Sequence, residues 1–407
     1  MLNKAKNRTR KGRGVVVFLS SLVVLYLVFS AGYFFAKRGI NVKIVPGILT
    51  NKDVNQPANI DFSLFWDVWN KTHTEFVGNE NDQNMVYSAI QGSLSALNDP
   101  YTIFLNPEDN KRFSEEVTGI FDGIGAELST KNGILIIVAP IDGSPAAKAG
   151  LLAGDQIAAI DGKKTDGFTT DQAVNLIRGQ KGTKVTLSIV RAGNQKDYII
   201  TRDTINVKSV TYKYQTVSGQ KVAIVKISQF SNDTADLMNQ FADDCLKNKC
   251  QKIVLDLRNN PGGYLDSAID VGSLFIKDGA IVKEVDKAGN RKVSNVTQPA
   301  KLAGIPVIVL INNGSASAAE ILAGAISDHK AGTLLGEKSF GKGSVQSVED
   351  LAGGSALKVT VAKWLTPNDS AIDGVGITPQ IEVKMTEDDI NAGKDPQLDR
   401  ALQEITK

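Results

Sequence analysis

The stretch that decides the fold is Val307-Ile308-Val309-Leu310-Ile311-Asn312-Asn313-Gly314-Ser315-Ala316-Ser317-Ala318-Ala319-Glu320. Five consecutive apolar residues predict a buried strand, and Asn-Asn-Gly turns the chain into a helix rich in small residues. Strands and helices alternate from about residue 205 onwards, which predicts an α/β domain. Candidate strands are residues 222–227, 253–257, 307–311, 333–336 and 357–362, and candidate helices are residues 233–247, 264–274 and 318–327.

Ser317 is the candidate nucleophile of this stretch. It lies at the predicted start of the helix, where free backbone N–H groups stabilise developing negative charge. Taken alone, Ser317-Ala318-Ala319-Glu320 also fits a capping box with a structural serine. His329 is a poor base for Ser317, because 12 helical residues separate them by about 18 Å. His73 lies in a distant helical region and belongs to no catalytic motif.

Lys342, in Gly341-Lys342-Gly343, is the candidate base. A lysine accepts a proton only when neutral, so its pKa has to fall from about 10.4 towards about 7–8. Burial lowers the pKa of a lysine, and we expect Phe340 to supply the apolar wall. Gln346 is expected to orient the amine, although a surface glutamine explains it equally well. A solvated loop lysine is the alternative for Lys342.

A second turn, Asn259-Asn260-Pro261-Gly262-Gly263, follows the candidate strand at residues 253–257. Its exposed N–H groups can form half of an oxyanion hole, and the N–H of Ala318 can form the other half. A purely structural turn fits the same residues. Asp256 and Arg258 are expected to form an internal polar pair.

Residues 106–204 predict a small, mostly β unit with two short helices. Its turn Gly123-Ile124-Gly125-Ala126 can offer N–H groups to a peptide carboxylate while the peptide adds a strand beside a helix. A dinucleotide site is a poor competitor, because the turn lacks G-x-G-x-x-G and a surrounding βαβ unit.

The N-terminus predicts a membrane anchor. The first 13 residues carry six positive charges and no acid, and residues 15–36 carry no charge. These 22 residues span about 33 Å as a helix, enough for a bilayer core of about 30 Å. The basic flank predicts a cytoplasmic N-terminus and an extracytoplasmic body. A cleaved signal peptide is the alternative.

The rest of the composition excludes some classes of function. The formal net charge is +2, so the chain beyond the six basic residues sums to −4 and does not suit nucleic-acid binding. Cys245 and Cys250 could form a disulfide or remain two thiols, and without further ligands they do not predict a metal site.

Several motifs in order resemble a carboxyl-terminal processing protease over residues 61–385. They are Asp99-Pro100-Tyr101-Thr102, a PDZ-like run at residues 119–191, Leu257-Arg258-Asn259-Asn260-Pro261-Gly262-Gly263, Gly314-Ser315-Ala316-Ser317, Gly341-Lys342-Gly343 and Gly374-Val375-Gly376-Ile377-Thr378-Pro379. The chain departs from the family pattern at Ala319, where many relatives have serine, and at Gln380, where aspartate is common.

The resemblance implies roles for individual residues. Ser317 would be the nucleophile, Lys342 the general base and Gln346 its positioning residue. The N–H groups of Gly263 and Ala318 would form the oxyanion hole, with Gly262 as the fallback. The turn Gly123-Ile124-Gly125-Ala126 would bind substrate tails, and Arg178 would link the PDZ domain to the active site.

The resemblance also implies a fold, a spiral crotonase-like α/β protease core with an inserted, mostly β PDZ domain, an N-terminal helical region and a single transmembrane helix. We expect a cytoplasmic basic segment (1–14), an anchor (15–36), a linker (37–60), a helical region (61–105), a PDZ domain (106–204), a protease core (205–390) and a C-terminal tail (391–407).

The expected function is that of a single-pass, extracytoplasmic serine endopeptidase acting on proteins or peptides with free C-termini, without cofactor, metal or nucleic acid. Homo-oligomerisation and an accessory adaptor stay open. The alternatives are a catalytically silent PDZ scaffold that binds protein C-termini, and an acyl-transfer or hydratase enzyme on a related spiral fold.

Overall fold

A computed structural model describes residues 60–131, 133–141, 143–386, 388–389 and 392–407. The described residues fall into two units, one ending at Glu80 and the other running from Asn81 to Lys407. In the first unit, helix α1 (Ser63–Glu75) carries an aromatic cluster of Phe65, Trp66 and Trp69. The predicted anchor at residues 15–36 lies outside the described residues, as does nearly all of the linker. Within the described ranges, no helix is long and apolar enough to cross a bilayer.

The second unit begins with helix α2 (Asp82–Ser95), strand β1 (Ile103–Leu105) and helix α3 (Pro107–Thr118). The predicted helix near residues 85–97 is confirmed, and Asn81 caps it by accepting from the N–H of Asn84. Helix α3 was expected to belong to the β unit. Asn106 accepts from two N–H groups at its start and Pro107 occupies its first turn, which explains why this segment is helical.

The PDZ-like unit spans residues 120–206. Its elements are β2 (Ile120–Gly123), β3 (Ala126–Lys131), β4 (Ile134–Pro140), α4 (Pro145–Lys148), β5 (Gln156–Ile160), β6 (Lys163–Lys164), α5 (Thr170–Ile177), β7 (Lys184–Arg191), β8 (Asn194–Thr201) and β9 (Asp203–Asn206). Strands β3-β4-β5-β7-β8 form one sheet, β6 pairs with β5, and β2 pairs with β9. Ile137, Leu187 and Ile189 are buried in its core. Because β3 lies at the sheet edge, a further strand can be added there.

The remaining residues build the α/β body. Its elements are β10 (Val210–Val217), β11 (Gln220–Ile227), α6 (Thr234–Lys247), β12 (Lys252–Asp256), α7 (Leu265–Ser273), β13 (Ala280–Asp286), β14 (Arg291–Asn295), β15 (Val307–Ile311), α8 (Ala318–Asp328), β16 (Thr333–Gly336), β17 (Ser344–Asp350), β18 (Ala356–Leu365), β19 (Ile381–Glu382) and α9 (Pro396–Ile405). The main sheet has the order β10-β11-β12-β15-β16-β19 and is parallel except for β10. This confirms the α/β prediction.

A second sheet in the body was not predicted. It has the order β1-β18-β13-β14, with β17 paired to β18, and all its pairs are antiparallel. Sequence patterning indicated only β18. The other strands of this sheet include many partly or fully exposed residues, so they lack the continuous apolar run that marked β15. The sheet matters for the site because it joins β1 to the segment that follows Lys342.

The structure places the C-terminal helix and the two cysteines. Helix α9 buries Ala401, Leu402 and Ile405 against the main sheet, so the core continues beyond residue 390. Cys245 and Cys250 are joined as a disulfide with their Cα atoms 5.1 Å apart, within the range that a disulfide allows.

Candidate active site

Ser317 lies at a strained turn between β15 and α8. Its backbone has φ 54° and ψ −117°, a conformation that costs a non-glycine residue about 1–3 kcal/mol. Its N–H donates to Glu320 Oε2 at 2.8 Å, and its carbonyl accepts from the N–H of Glu320 at 2.8 Å. The reach of Glu320 back to Ser317 is the reciprocal contact expected of a capping box. Strain held in place by such contacts is typical of functional sites.

Ser315 is a structural residue of the same turn. It is fully buried, its hydroxyl donates to the carbonyl of Leu257 at 2.8 Å, and its Oγ accepts from the N–H of Asn312 at 3.0 Å. Its hydroxyl proton therefore ties β15 to the end of β12. This supports the choice of Ser317 over Ser315 as the candidate nucleophile.

The turn at Asn260–Gly263 lies directly against Ser317. Asn260 accepts from the N–H of Ala316 at 2.9 Å through its carbonyl. A Cβ on Gly262 would lie 2.7 Å from Ser317 Cβ and 3.0 Å from the nitrogen of Ala318. Only a residue without a side chain permits this approach.

Two N–H groups beside Ser317 are available to an oxyanion. In the part of the chain that the structure describes, neither Gly263 nor Ala318 donates its N–H to a protein acceptor. The fallback choice of Gly262 is wrong, because its N–H already donates to Asn260 Oδ1 at 2.9 Å. The two predicted donors thus stay the candidates.

The main chain of Lys342 is held on both sides. Its N–H donates to Glu320 Oε2 at 3.0 Å, and its carbonyl accepts from Trp364 Nε1 at 3.0 Å. The flanking glycines are needed because a Cβ on Gly343 would overlap the backbone of Asp373, and one on Gly341 would lie 2.9 Å from the nitrogen of Gly376. The motif at residues 374–379 therefore packs against the lysine loop.

Glu320 connects the serine turn to the lysine loop. Its side chain is fully buried and accepts four hydrogen bonds. The donors are the N–H groups of Ser317 (2.8 Å), Lys342 (3.0 Å) and Gly341 (2.7 Å) and the hydroxyl of Ser339 (2.6 Å). These four hydrogen bonds offset the free-energy cost of burying a carboxylate. One side chain thus holds the backbones of both candidate catalytic residues.

The amine of Lys342 lies in an environment that favours the neutral form. Burial lowers the pKa of Lys342 to about 8, the positive charge of Lys358 lowers it as well, and Glu320 and Asp99 act in the opposite direction. Lys342 Nζ lies 5.0 Å from the ring centroid of Tyr101. The expectation for Phe340 was wrong, because that side chain is 55% exposed and Tyr101 is the aromatic neighbour instead.

Gln346 belongs to a hydrogen-bond network near Lys342. Its Nε2 donates to Ser344 Oγ at 2.8 Å and to Thr360 Oγ1 at 3.4 Å. The N–H of Thr360 donates to Thr102 Oγ1, which in turn donates to Asp99 Oδ2 at 2.6 Å. The role of Gln346 in orienting the amine stays a prediction, and this network is the route by which its side chain is held.

The turn that we predict to bind a carboxylate lies between β2 and β3 of the PDZ-like unit. Gly125 has φ 73°, and its carbonyl accepts from the hydroxyl of Ser144 at 2.8 Å. Within the described residues, the N–H groups of Ile124 and Gly125 donate to no protein acceptor. Gly123 ends β2, and Ala126 begins the edge strand β3. The turn therefore offers two N–H groups beside an edge strand, and its binding of a peptide C-terminus stays a prediction.

Arg178 follows helix α5 and contacts helix α3. Its Nη1 lies 3.0 Å from Glu115 Oε2, and its guanidinium stacks 4.5 Å from the ring centroid of Phe121. Arg178 lines a cleft of about 1220 Å³ that also reaches Asp99 and Thr102. The cleft thus extends from the PDZ helix to the network beside Lys342, and the linking role of Arg178 stays a prediction.

His329, the alternative base, is engaged elsewhere in the body. His329 lies at the C-terminal end of α8, where its Nε2 donates to the carbonyl of Ala280 at 2.7 Å. Asp256 and Arg258 form the predicted internal pair, to which Asp395 adds a second carboxylate. Among the described residues, no cluster of three or more metal-binding side chains is present.

Four residues contribute to the site although their sequence context gives no sign of it. Tyr101 belongs to a motif that was recognised without a function, and Glu320 was recognised only as a cap. Trp364 and Lys358 carried no signal, because a tryptophan and a lysine on an alternating strand are ordinary. Their contribution depends on contacts between segments that are distant in sequence.

Comparisons with known proteins identify the family of the chain. The family description Peptidase family S41 matches residues 221–383, and PDZ domain matches residues 136–191. The carboxy-terminal-processing protease of Bartonella bacilliformis is 41% identical over 367 residues, covering 88% of this chain and 82% of that protein. The carboxy-terminal processing protease CtpA of Bacillus subtilis is 40% identical over 314 residues, covering 77% and 66%. The structure of the photosystem II D1 C-terminal processing protease superimposes with a TM-score of 0.50 at 29% identity, covering 78% and 86%.

The matched regions define a serine-type peptidase with a PDZ domain. The chain belongs to the carboxy-terminal-processing proteases of peptidase family S41.

Proposed function

We propose that this protein is a membrane-anchored, extracytoplasmic endopeptidase that recognises C-terminal tails through its PDZ domain and cleaves substrates with a Ser317/Lys342 dyad. Neutral Lys342 takes the proton of Ser317 as Oγ bonds to the peptide carbonyl carbon. The N–H groups of Gly263 and Ala318 bind the resulting oxyanion. The protonated lysine then gives its proton to the leaving amine, and water hydrolyses the acyl-enzyme.

The observation that carries the dyad is the position of Glu320. One buried carboxylate accepts from the N–H of Ser317 and from the N–H of Lys342. A helix cap and a solvated lysine, the two separate alternatives, do not require such a link. The strained backbone of Ser317 and the lowered pKa of Lys342, about 8, are additional support.

Substitution of the two residues tests the dyad. We expect Ser317→Ala and Lys342→Ala each to lower kcat by about 10⁴-fold or more on a peptide substrate. Lys213→Ala, at an exposed strand lysine, is the control and should retain wild-type activity. An acylating serine-protease probe should label Ser317 in the wild-type protein. Wild-type rates in either dyad variant would refute the mechanism, and rapid labelling would count against a hydratase.

Tail recognition is supported by the free N–H groups of Ile124 and Gly125 beside the edge strand β3. A peptide with a free C-terminus should bind and be cleaved better than the same peptide with an amidated C-terminus. Arg178→Ala should weaken the coupling between tail binding and cleavage without abolishing tail binding. Equal binding and cleavage of the acid and the amide would refute recognition by the PDZ domain.

The anchor and the location rest on the basic residues before position 14 and the uncharged residues 15–36. The full chain should stay with membranes after a high-salt wash, whereas a variant lacking residues 1–36 should be released. Protease added outside spheroplasts should digest the body of the full chain. Release of the full chain by salt would contradict the anchor.

Substrates can be found by comparing extracytoplasmic proteomes of cells with wild-type and Ser317→Ala protein. Proteins whose C-termini shorten only with the wild-type enzyme are direct candidates. If no C-terminus depends on Ser317, the silent PDZ scaffold becomes the better description.

A further inference from the structure

Lys358 is a partly buried cation that forms no ion pair with any of the described residues. It lies on β18, and its Nζ lies 5.0 Å from the ring centroid of Phe113. Glu116 is a carboxylate whose charge reaches Lys358, but within the described residues it makes no hydrogen bond or ion pair with the amine. Burial lowers the pKa of Lys358. Lysines are rarely buried without a partner, so this position calls for an explanation beyond packing.

Strand β18 connects Lys358 to the residues that surround Lys342. Lys358 and Thr360 lie two residues apart on β18 and therefore share one face of the sheet. The N–H of Thr360 donates to Thr102 Oγ1 at 3.1 Å. Tyr101 precedes Thr102 in the chain, and the amine of Lys342 lies over the ring of Tyr101. Each of the two amines thus lies over an aromatic ring, and β18 carries both Lys358 and the residue that binds Thr102 next to Tyr101.

The charges around Lys342 come from several elements. Glu320 from α8 and Asp99 from the segment before β1 favour the ammonium form. The charge of Asp373 raises the pKa of the neighbouring Tyr101, and Asp373 forms an ion pair with Lys363 at 3.1 Å. Lys358 acts against protonation of Lys342, together with burial. A lysine that acts as a general base near two carboxylates needs an opposing effect that lowers its pKa, because the carboxylates alone would favour its protonated form.

We propose that Lys358 is a positioning residue that increases the neutral fraction of Lys342 by holding a positive charge near it on β18. This inference rests on the proposed role of Lys342 as the general base. Lys358 itself touches neither the substrate nor the reacting atoms in this proposal. Its contribution is electrostatic and depends on retaining a cation at this position.

The test compares Lys358→Met with Lys358→Arg. Methionine keeps an apolar stem over Phe113 and removes the charge, whereas arginine retains the charge. Lys213→Met, at an exposed lysine of β10, is the matched control. The measurement is kcat/KM against pH on an uncharged peptide substrate, with melting temperatures recorded alongside.

We expect the acidic limb of the Lys358→Met profile to move up by about 0.5–1 pH unit, which lowers kcat/KM at pH 7 by about 3- to 10-fold. The loss should disappear well above the pKa of Lys342, where the base is neutral in both proteins. Lys358→Arg and Lys213→Met should follow the wild-type profile. If Lys358→Met melts early, Lys358→Gln serves under the same criteria.

Two results would overturn the inference. One is an unmoved or downward-shifted acidic limb in Lys358→Met. The other is an equal loss at every pH, which would indicate a structural or substrate-binding role. Failure of the dyad itself gives a different pattern, because Lys342→Ala would then stay active. An inactive Lys342→Ala combined with an unmoved limb in Lys358→Met refutes only the role of Lys358.

Discussion

Gly262→Ala should strongly lower the activity of the enzyme and also reduce its stability. The added Cβ would lie 2.7 Å from Ser317 Cβ, whereas ordinary contacts of this kind begin near 3.4 Å. The turn or Ser317 must therefore retreat by about 0.7 Å. Misplacement of reacting groups by about 1 Å costs about 10²-fold in rate. We expect kcat/KM to fall by about 10²-fold.

Gly304→Ala is the matched control for backbone strain. Gly262 has φ 101° and Gly304 has φ 89°, so an alanine is disfavoured at both positions, but a Cβ on Gly304 meets nothing within 4 Å. Each variant should lose about 1–2 kcal/mol from the positive φ angle. Gly262→Ala should lose about 1–3 kcal/mol more from the overlap.

The assay combines kcat/KM on a peptide substrate with urea unfolding of the same two proteins. Gly304→Ala should retain activity within about threefold of the wild type, since surface strain does not reach the site. The reasoning is refuted if Gly262→Ala also stays within threefold. That result would mean that the close approach of the glycine turn to Ser317 is not needed for catalysis.

Three further predictions follow from the same site. kcat/KM should rise with pH and level off above about pH 8, because Lys342 must lose its proton to act as a base and its pKa is about 8. A flat profile of kcat/KM between about pH 6 and 9 would contradict this prediction. Glu320→Gln should cost about 2–4 kcal/mol in urea unfolding and also lower kcat/KM, because each carboxylate oxygen accepts from two donors and the amide places its NH2 group against one of these pairs. The exposed Glu349→Gln is the control, and equal stabilities of the two variants would refute the argument. Ser315→Ala should lose about 1–3 kcal/mol of its free energy of unfolding, because a buried hydrogen bond is removed. An acylating probe should still label Ser317 in this variant, as peptide mapping would show. Loss of all labelling with a stable fold would favour Ser315 as the nucleophile.

Local sequence was sufficient for much of the α/β body. The apolar run at Val307–Ile311 predicted β15, and the small residues after Gly314 predicted α8, because burial and turn chemistry act over a few neighbouring residues. The second sheet was missed for the opposite reason. Strands such as Arg291–Asn295 are largely exposed and are stabilised by pairing with distant segments, which leaves little local pattern to read.

The candidate site divides in the same way. Ser317, Lys342, Gly263 and Ala318 could be chosen from motifs, since each lies in a turn with a recognisable composition. The errors concerned neighbours: Phe340 is exposed, and the N–H of Gly262 is already bonded to Asn260. Neither fact is visible in the sequence, because exposure and hydrogen bonding depend on how the turns fold against the rest of the chain.

The sequence by itself determined the α/β class of the body, the glycine-rich turns and the identity of the serine and lysine that we propose as a dyad. Only the tertiary structure decided what surrounds them: Glu320 between the two backbones, Tyr101 under the amine and Lys358 on the neighbouring strand. Residue type and spacing specify which groups can react. Burial and the field of distant charges set their protonation, and these arise only when remote segments are packed together.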